Sequence, residues 1–154
     1  MEMLCFRIND QRFAISVSSV EKVIMAQAIT LVPDSPAILK GIIDYHGEII
    51  AVINLRFRLG IPDQPVRMND RYIITTMPGR HLALIVDEIE GVIEDSGGTG
   101  NAVIESGFGL MVTSMLSDDK GIVLIYDLEK LITSKDVVEI TEFAEKLENP
   151  QVKK

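Results

Sequence analysis

A mostly β protein built from two small, packed β-barrels is the fold class this chain predicts, and three observations lead to it. Apolar and polar residues alternate in short runs, as at Leu4-Cys5-Phe6-Arg7-Ile8, with turn residues between the runs. The intervals between these runs are too short for the helices that connect strands of a parallel sheet. The segments Val52-Ile53-Asn54-Leu55 and Ile125-Tyr126-Asp127-Leu128 echo each other, each an apolar strand running into an Asx-capped helical turn, which points to two similar halves.

The elements follow in order. Leu4, Phe6 and Ile8, then Phe13, Ile15 and Val17, alternate with more polar or smaller neighbours on either side of a polar Asn9–Arg12 turn, and so predict a half-buried hairpin. Ser18 stands three residues before Glu21, the capping-box spacing, and Val20, Val23 and Ile24 follow at helical intervals, which predicts a short helix. Pro33 and Pro36 bracket a turn, because each lacks a backbone donor and restricts the residue before it.

Lys40 to Leu55 reads as two strands joined through Tyr45, His46, Gly47 and Glu48, and the second, Ile49–Ile53, is apolar at every position, as a strand buried on both faces would be. Asn54 caps a short helix carrying Leu55 and Leu59, stopped by Gly60 and Pro62, and a polar linker covers Asp63–Asp70. Tyr72–Met77 and Leu82–Val86 flank Pro78-Gly79, the pair suited to the centre of a type II turn. Ile89–Ile93 continues the strand pattern, and Asp95–Asn101, rich in Gly and Ser, reads as an exposed loop. Gly121–Tyr126 is another apolar strand, and Asp127 caps a helical turn with Leu128, Leu131 and Ile132. Val137, Ile140, Ala144 and Leu147 form the apolar stripe of a terminal helix that ends before Pro150, with a mobile tail at Gln151–Lys154.

Composition excludes several function classes. The 154 residues suffice for one domain with its own core, and 47% hydrophobic and 25% charged residues are ordinary for a globular protein. A net charge of -8 opposes nucleic-acid binding, which Lys and Arg drive by displacing counterions. No apolar run reaches the ~18 residues of a membrane span, and Met1–Arg12 lacks the features of a secretory signal, so the expected location is the cytoplasm. The single cysteine, Cys5, lies between Leu4 and Phe6 and is expected to be a buried structural thiol. Arg56, Arg58, Arg67 and Arg71 read as solvated surface, and Asp87, Glu88 and Glu90 as a solvated turn.

Catalytic patterns are weak. Asp95-Ser96-Gly97-Gly98 resembles the nucleophile segment of trypsin-like proteases, yet Glu94 and Thr99 depart from it and His46 and His81 stand in strand-like contexts without a base motif. Gly97–Gly100 and Gly107–Gly109 lack the following lysine of a phosphate loop. One Cys and two separated His do not make a metal site, and no cofactor is indicated. An enzyme using Ser96 and a barrel that binds a small ligand are the competing readings.

The stretch GIIDYHGEIIAVINLRFRLGIP, Gly41 to Pro62, closely resembles the signature region of the CheW family, the coupling proteins of bacterial chemotaxis. The opening FRINDQRFAISVSSVEKVI, the VPDSPAILKG approach, the IVDEIEGVI pair and the closing GIVLIYDLEKLI match that family in order and spacing, so nearly the whole chain is covered. The resemblance implies two five-stranded, SH3-like barrels in one domain over residues 1–154, dividing near residues 60–70, with a C-terminal helix at about 135–148. It implies a non-catalytic adaptor between the cytoplasmic hairpin tips of chemoreceptors and the regulatory domain of the CheA histidine kinase, at receptor arrays beneath the inner membrane. By position, the receptor-facing groove falls on Val20, Lys22, Val23, Gly41, Tyr45, His46 and Gly47. His46 stands where the family typically carries arginine, and Tyr45, Ala51 and Asn54 replace the usual leucine, proline and aspartate. A permanently charged fork is thereby exchanged for a ring that titrates near neutrality.

Overall fold

The alternating runs fold as the strands their period demands. The computed structural model describes residues 1–77, 79–94 and 112–148. The opening hairpin pairs β1 (Glu2–Ile8) with β2 (Gln11–Ser16) in a register that sets Leu4 against Ile15 and Phe6 against Phe13. A single 3-10 turn, Val17–Ser19, leads into β3 (Val20–Met25). Here the expected helix is replaced by a strand. The capping side chain is that of Ser16, which accepts from Ser18 N, and the helical geometry ends after one turn. Val20, Val23 and Ile24 are β-branched, and pairing antiparallel with β6 satisfies the backbone of β3 as a six-residue helix could not.

β4 (Leu39–Tyr45) and β5 (Glu48–Ile53) form the second hairpin. Ile50, Ala51, Val52 and Ile53 are buried, as an all-apolar strand implies, while Ile49 remains partly exposed. Asn54 caps α1 (Leu55–Leu59) by accepting from Phe57 N, and Gly60, at φ 73, supplies the left-handed residue that ends it. β6 (Arg71–Met77) and β7 (Arg80–Val86) make the third hairpin, in which Gly79 has the φ of 77 that the second central residue of a type II turn requires. β8 (Glu88–Glu94), β9 (Val112–Asp118), β10 (Gly121–Tyr126), α2 (Leu128–Leu131) and α3 (Ser134–Glu148) complete the order. β9 has no counterpart in the sequence reading. Pro78, the Asp95–Asn101 loop with Ser96, the Leu147 side chain and the Gln151–Lys154 tail lie outside the described residues.

Two five-stranded sheets result, ordered β8-β1-β2-β10-β9 and β3-β6-β7-β5-β4. Their plans coincide: a hairpin at the centre (β1-β2 or β6-β7), a lone strand beside its first member, and a second hairpin whose later strand runs parallel to the central one (β10 with β2, β5 with β7). The chain is therefore a repeat, β1 to α1 and then β6 to α2, and the halves exchange strands. The central hairpin of each sheet comes from one half and its other three strands from the other. The expected division near residues 60–70 separates the repeats but not the barrels: residues 61–70 join α1 to β6 inside the second sheet, and the chain changes sheet after Ser16 and again between Val86 and Glu88.

Each barrel has a small interior and shares a larger core with its twin. Met3, Cys5, Ala14, Val123 and Ile125 fill the first, and Ile43, Ile50, Val52, Tyr72, Ile74 and Ala83 the second. Between them Leu4, Phe6, Phe13, Ile15, Leu124 and Tyr126 form one cluster with Ala51, Ile53, Ile73, Leu82 and Leu84. Each such fully buried side chain stabilises the fold by roughly 1.5–3 kcal/mol relative to exposure. Phe6 stacks on Phe13 at 5.8 Å, and Tyr126 meets Phe13 edge-on at 5.6 Å. Thr133 and Asp136 cap α3 reciprocally, Arg58 of α1 holds Asp136 at 2.6 Å, and Ile140 and Ala144 face inward.

Candidate protein-interaction site

The second barrel closes by a route that fixes one of its ends. After β3 the chain crosses to β4, where Thr30 N donates to Ile42 O at 2.9 Å and Ile42 N to Thr30 O at 3.0 Å. Gly41 permits this approach: a Cβ there would lie 2.1 Å from Ile29 Cγ2 and 2.7 Å from Thr30 O. Gly41 is buried, so of the residues expected to face a partner it serves the closure of the barrel instead of its surface.

The interior positions Ile24, Ile43, Ile50, Ile74 and Ala83 define one face of each strand. Two residues further along each strand, the same alternation brings Lys22, Tyr45, Glu48, Thr76 and His81 to one rim of the barrel. Side-chain contacts close the ring. Lys22 Nζ lies 5.3 Å from the centroid of the Tyr45 ring, within cation–π range. Tyr45 meets the His46 ring at 4.3 Å and 60°. His46 and Gly47, at φ 54 and 89, are the two central residues of a tight turn between the paired Tyr45 and Glu48, and Gly47 N donates to Asp44 Oδ1 at 2.8 Å. Histidine is among the few side chains enriched at positive φ.

His81 stands at the centre of the rim. Its Nδ1 lies 2.6 Å from Glu48 Oε2 and its Nε2 2.7 Å from Glu21 Oε2. Both ring nitrogens thus face carboxylates, an arrangement that only the imidazolium, with an N–H on each, satisfies on both sides. The hydrogen bond to Glu48 above all raises the imidazole above the usual histidine pKa; burial opposes it, and the charges of Glu48 and Glu21 add to the rise. Glu21 reaches this place through a β-bulge: Val20 pairs with Thr75 and Lys22 with Ile74, so Glu21 is the extra residue and turns toward Thr76, whose Oγ1 donates to it at 3.0 Å.

Lys22, Tyr45, His46 and Gly47 are thus gathered at one rim, whereas Val23 points outward at 38% exposure and Val20 is half-buried against the shared core. The sequence reading missed Glu21, Glu48, Thr76 and His81.

Of the charged groups expected to be solvated, Arg67 and Glu88 are exposed, whereas Arg56, Asp87 and Glu90 are largely buried in ion pairs. Arg56 is 7% exposed; its Nη2 donates to both oxygens of Asp87, and its Nη1 to Asn9 Oδ1 at 3.0 Å. Glu90 accepts from Arg12 Nε at 2.7 Å and from the Cys5 thiol. Cys5 is buried as expected, and burial first, then the Glu90 hydrogen bond, pushes its thiol up to about 11. Among the described residues no group of three or more His, Cys, Asp and Glu could hold a metal ion, and no helix is long and apolar enough to cross a membrane. Ser96 lies outside the described residues. Both barrel interiors are filled by side chains, which leaves the small-ligand reading without a cavity there.

Twin barrels with filled interiors and a polar, aromatic rim define a protein-interaction module. The family model for the CheW-like domain matches residues 2–136, and the chain belongs to that family. It is 29% identical over 139 residues to the chemotaxis protein CheW of Thermotoga maritima, covering 90% of this chain and 91% of that one. It is 26% identical over 140 residues to the probable chemotaxis protein CheW of Rhizobium etli, covering 88% and 89%. The crystal structure of the scaffolding protein TtCheW from Thermoanaerobacter tengcongensis superposes with a TM-score of 0.74 at 26% identity, over 88% of this chain and 94% of that one.

Proposed function

We propose that the chain is a non-catalytic chemotaxis adaptor that joins the cytoplasmic hairpin tip of a chemoreceptor to the regulatory domain of a CheA-type histidine kinase, in the cytoplasm at receptor arrays. Family membership over residues 2–136 supports the adaptor role. The observation that carries the receptor contact is the gathering of Lys22, Tyr45, His46 and Gly47 on one rim from strands at opposite edges of the sheet. Val23, 38% exposed, and the half-buried Val20 are included in the docking surface for their place on β3 beside Lys22. A cation, two aromatic rings and a tight turn suit a helical tip bearing carboxylates and apolar side chains.

Calorimetric titration with the kinase regulatory domain and, separately, with a receptor-tip fragment from the same organism tests the reading. Saturable binding to each, and to both at once, is the expected result. Binding to neither would remove the coupling role.

A further inference from the structure

We infer that His81 is a proton-linked clasp that sets the position of the β4–β5 tip against β3. Three independent features converge on it. The ring is the direct neighbour of Thr76 in the β6–β7 ladder and lies at the barrel rim, where its two nitrogens reach carboxylates from strands on either side. Glu48 is the residue paired with Tyr45 across the turn, so whatever holds Glu48 holds the base of the tip. Glu21 comes from a bulge, a local irregularity that re-aims a single side chain, and it is aimed at this ring.

Loss of the proton reverses the geometry. A neutral imidazole has one N–H and one lone pair, so one of the two carboxylates then faces a lone pair, and the tie between β3 and the tip opens on that side. The groups that face the ring nitrogens are Glu21 from β3 and Glu48 from β5, and the Thr76 hydroxyl from β6 donates to Glu21. At the same rim stand Lys22, held over Tyr45, together with Asp44, which binds Gly47 N, and His46. Arg80, next to His81 in the chain, lines a crevice with Ile140, Phe143 and Ala144 of α3. The clasp is a property of the free protein. Its effect on a partner rests on the docking proposed above: a tip held in place presents Lys22, Tyr45 and His46 together, and a released tip does not.

The experiment is nuclear magnetic resonance of the full chain from pH 5 to 9, following the histidine ring carbons and the amides of Tyr45 and Gly47. In His46→Asn, which keeps a residue tolerant of positive φ at the turn, the expected result is a His81 midpoint above ~6.5 with both tip amides following it. His81→Asn flattens the amide titration, and Glu48→Gln lowers the His81 midpoint with the amides moving in step. Should His81→Asn fail to fold, Glu48→Gln alone carries the test. Tip amides that titrate only when His46 is present, or that stay flat while His81 titrates, overturn the clasp, as does a His81 midpoint at or below ~6.5.

A second readout separates the clasp from the docking. Affinity of the unsubstituted chain for the receptor-tip fragment should fall about fivefold or more from pH 6 to pH 9, and the fall should shrink in Glu48→Gln. A clasp that titrates as described, with no receptor binding by the unsubstituted chain at any pH, upholds the clasp and removes the docking.

Discussion

Arg56 grips Asp87 with one nitrogen at 2.8 and 2.7 Å from its two oxygens, and by this contact α1 of the first repeat is fastened to the chain where it passes from the second barrel to the first. Asn9, in the β1–β2 turn, joins the same knot through its side chain to Arg56 and its N–H to Asp87. Arg56→Ala would leave the Asp87 carboxylate, 15% exposed, with much of its compensation gone. The expected cost is about 3 kcal/mol in urea unfolding, because breaking one side of a buried pair strands the other charge. Arg56→Lys should recover only part of it, since an ammonium lacks the guanidinium fork. A loss below about 0.5 kcal/mol for Arg56→Ala, the level of an exposed pair, would show that the knot does not hold the barrels.

Gly41 and Gly47 should both lose stability to a methyl group, the first by a clash and the second by backbone strain alone. Gly41→Ala places Cβ against the backbone oxygen of Thr30, which cannot withdraw without opening the Thr30–Ile42 bonds, so a loss of about 1–3 kcal/mol is expected. Truncating Ile29 should not restore it, because the carbonyl remains. Gly47→Ala meets no atom within 4 Å and pays only the strain of φ 89, roughly 1–2 kcal/mol. Gly41→Ala should lose receptor binding in proportion to its unfolded fraction, read by circular dichroism on the same samples. Binding lost in a fully folded Gly41→Ala would contradict the structural role given to this residue.

Acid should weaken the protein through the first barrel. Arg12 holds Asp118 at 2.7 and 2.9 Å, and this hydrogen bond, foremost, lowers the carboxyl to about 2. A carboxylate depressed in the folded state contributes stability above its unfolded pKa of ~3.9 and loses it as pH falls through the folded value. Glu90, also lowered by Arg12, adds to the same window. The urea midpoint should therefore fall steeply between about pH 4 and pH 2, and Asp118→Asn should flatten that fall. An unchanged slope in the variant would place the acid sensitivity elsewhere.

Much of this was legible in the chain. Strand alternation located the hairpins, and the Asx caps at Asn54 and Asp127 revealed the repeat, because both signals are local. The Pro78-Gly79 pair also marked in the sequence the place where β6 turns into β7, whose register sets Thr76 opposite His81. Glu21 was hidden because the bulge breaks the two-residue alternation from which its direction would be read. The Ser18–Glu21 spacing imitated a cap for the same reason: a strand with one extra residue has a helix-like rhythm. β9 was missed because Thr113, Ser114 and Ser117 dilute its apolar positions. The exchange of strands between halves, and the union of Arg56 with Asp87, are choices among distant partners that no local pattern encodes.

His46 offers a direct test of the contact surface. It is exposed at the turn, so His46→Arg should leave the melting temperature within about 2 °C of the parent, as a surface change does. Affinity for a conventional receptor tip should rise severalfold, since arginine supplies a permanent, forked donor to carboxylates. Equal or weaker binding would take His46 out of the interface.

The exchange of strands also imposes an order on synthesis. All strands of the second barrel lie between Val20 and Val86, so it can assemble while the rest of the chain is still being made. The first barrel cannot. Its β1–β2 hairpin precedes the other described elements in chain order, yet it must wait for β10, which ends at Tyr126, before its open edge is paired and its apolar face covered. Between the synthesis of Val86 and that of Tyr126, β1 and β2 are an unfinished sheet beside a finished one, and a hairpin early in the chain is among the last elements to reach its final neighbours.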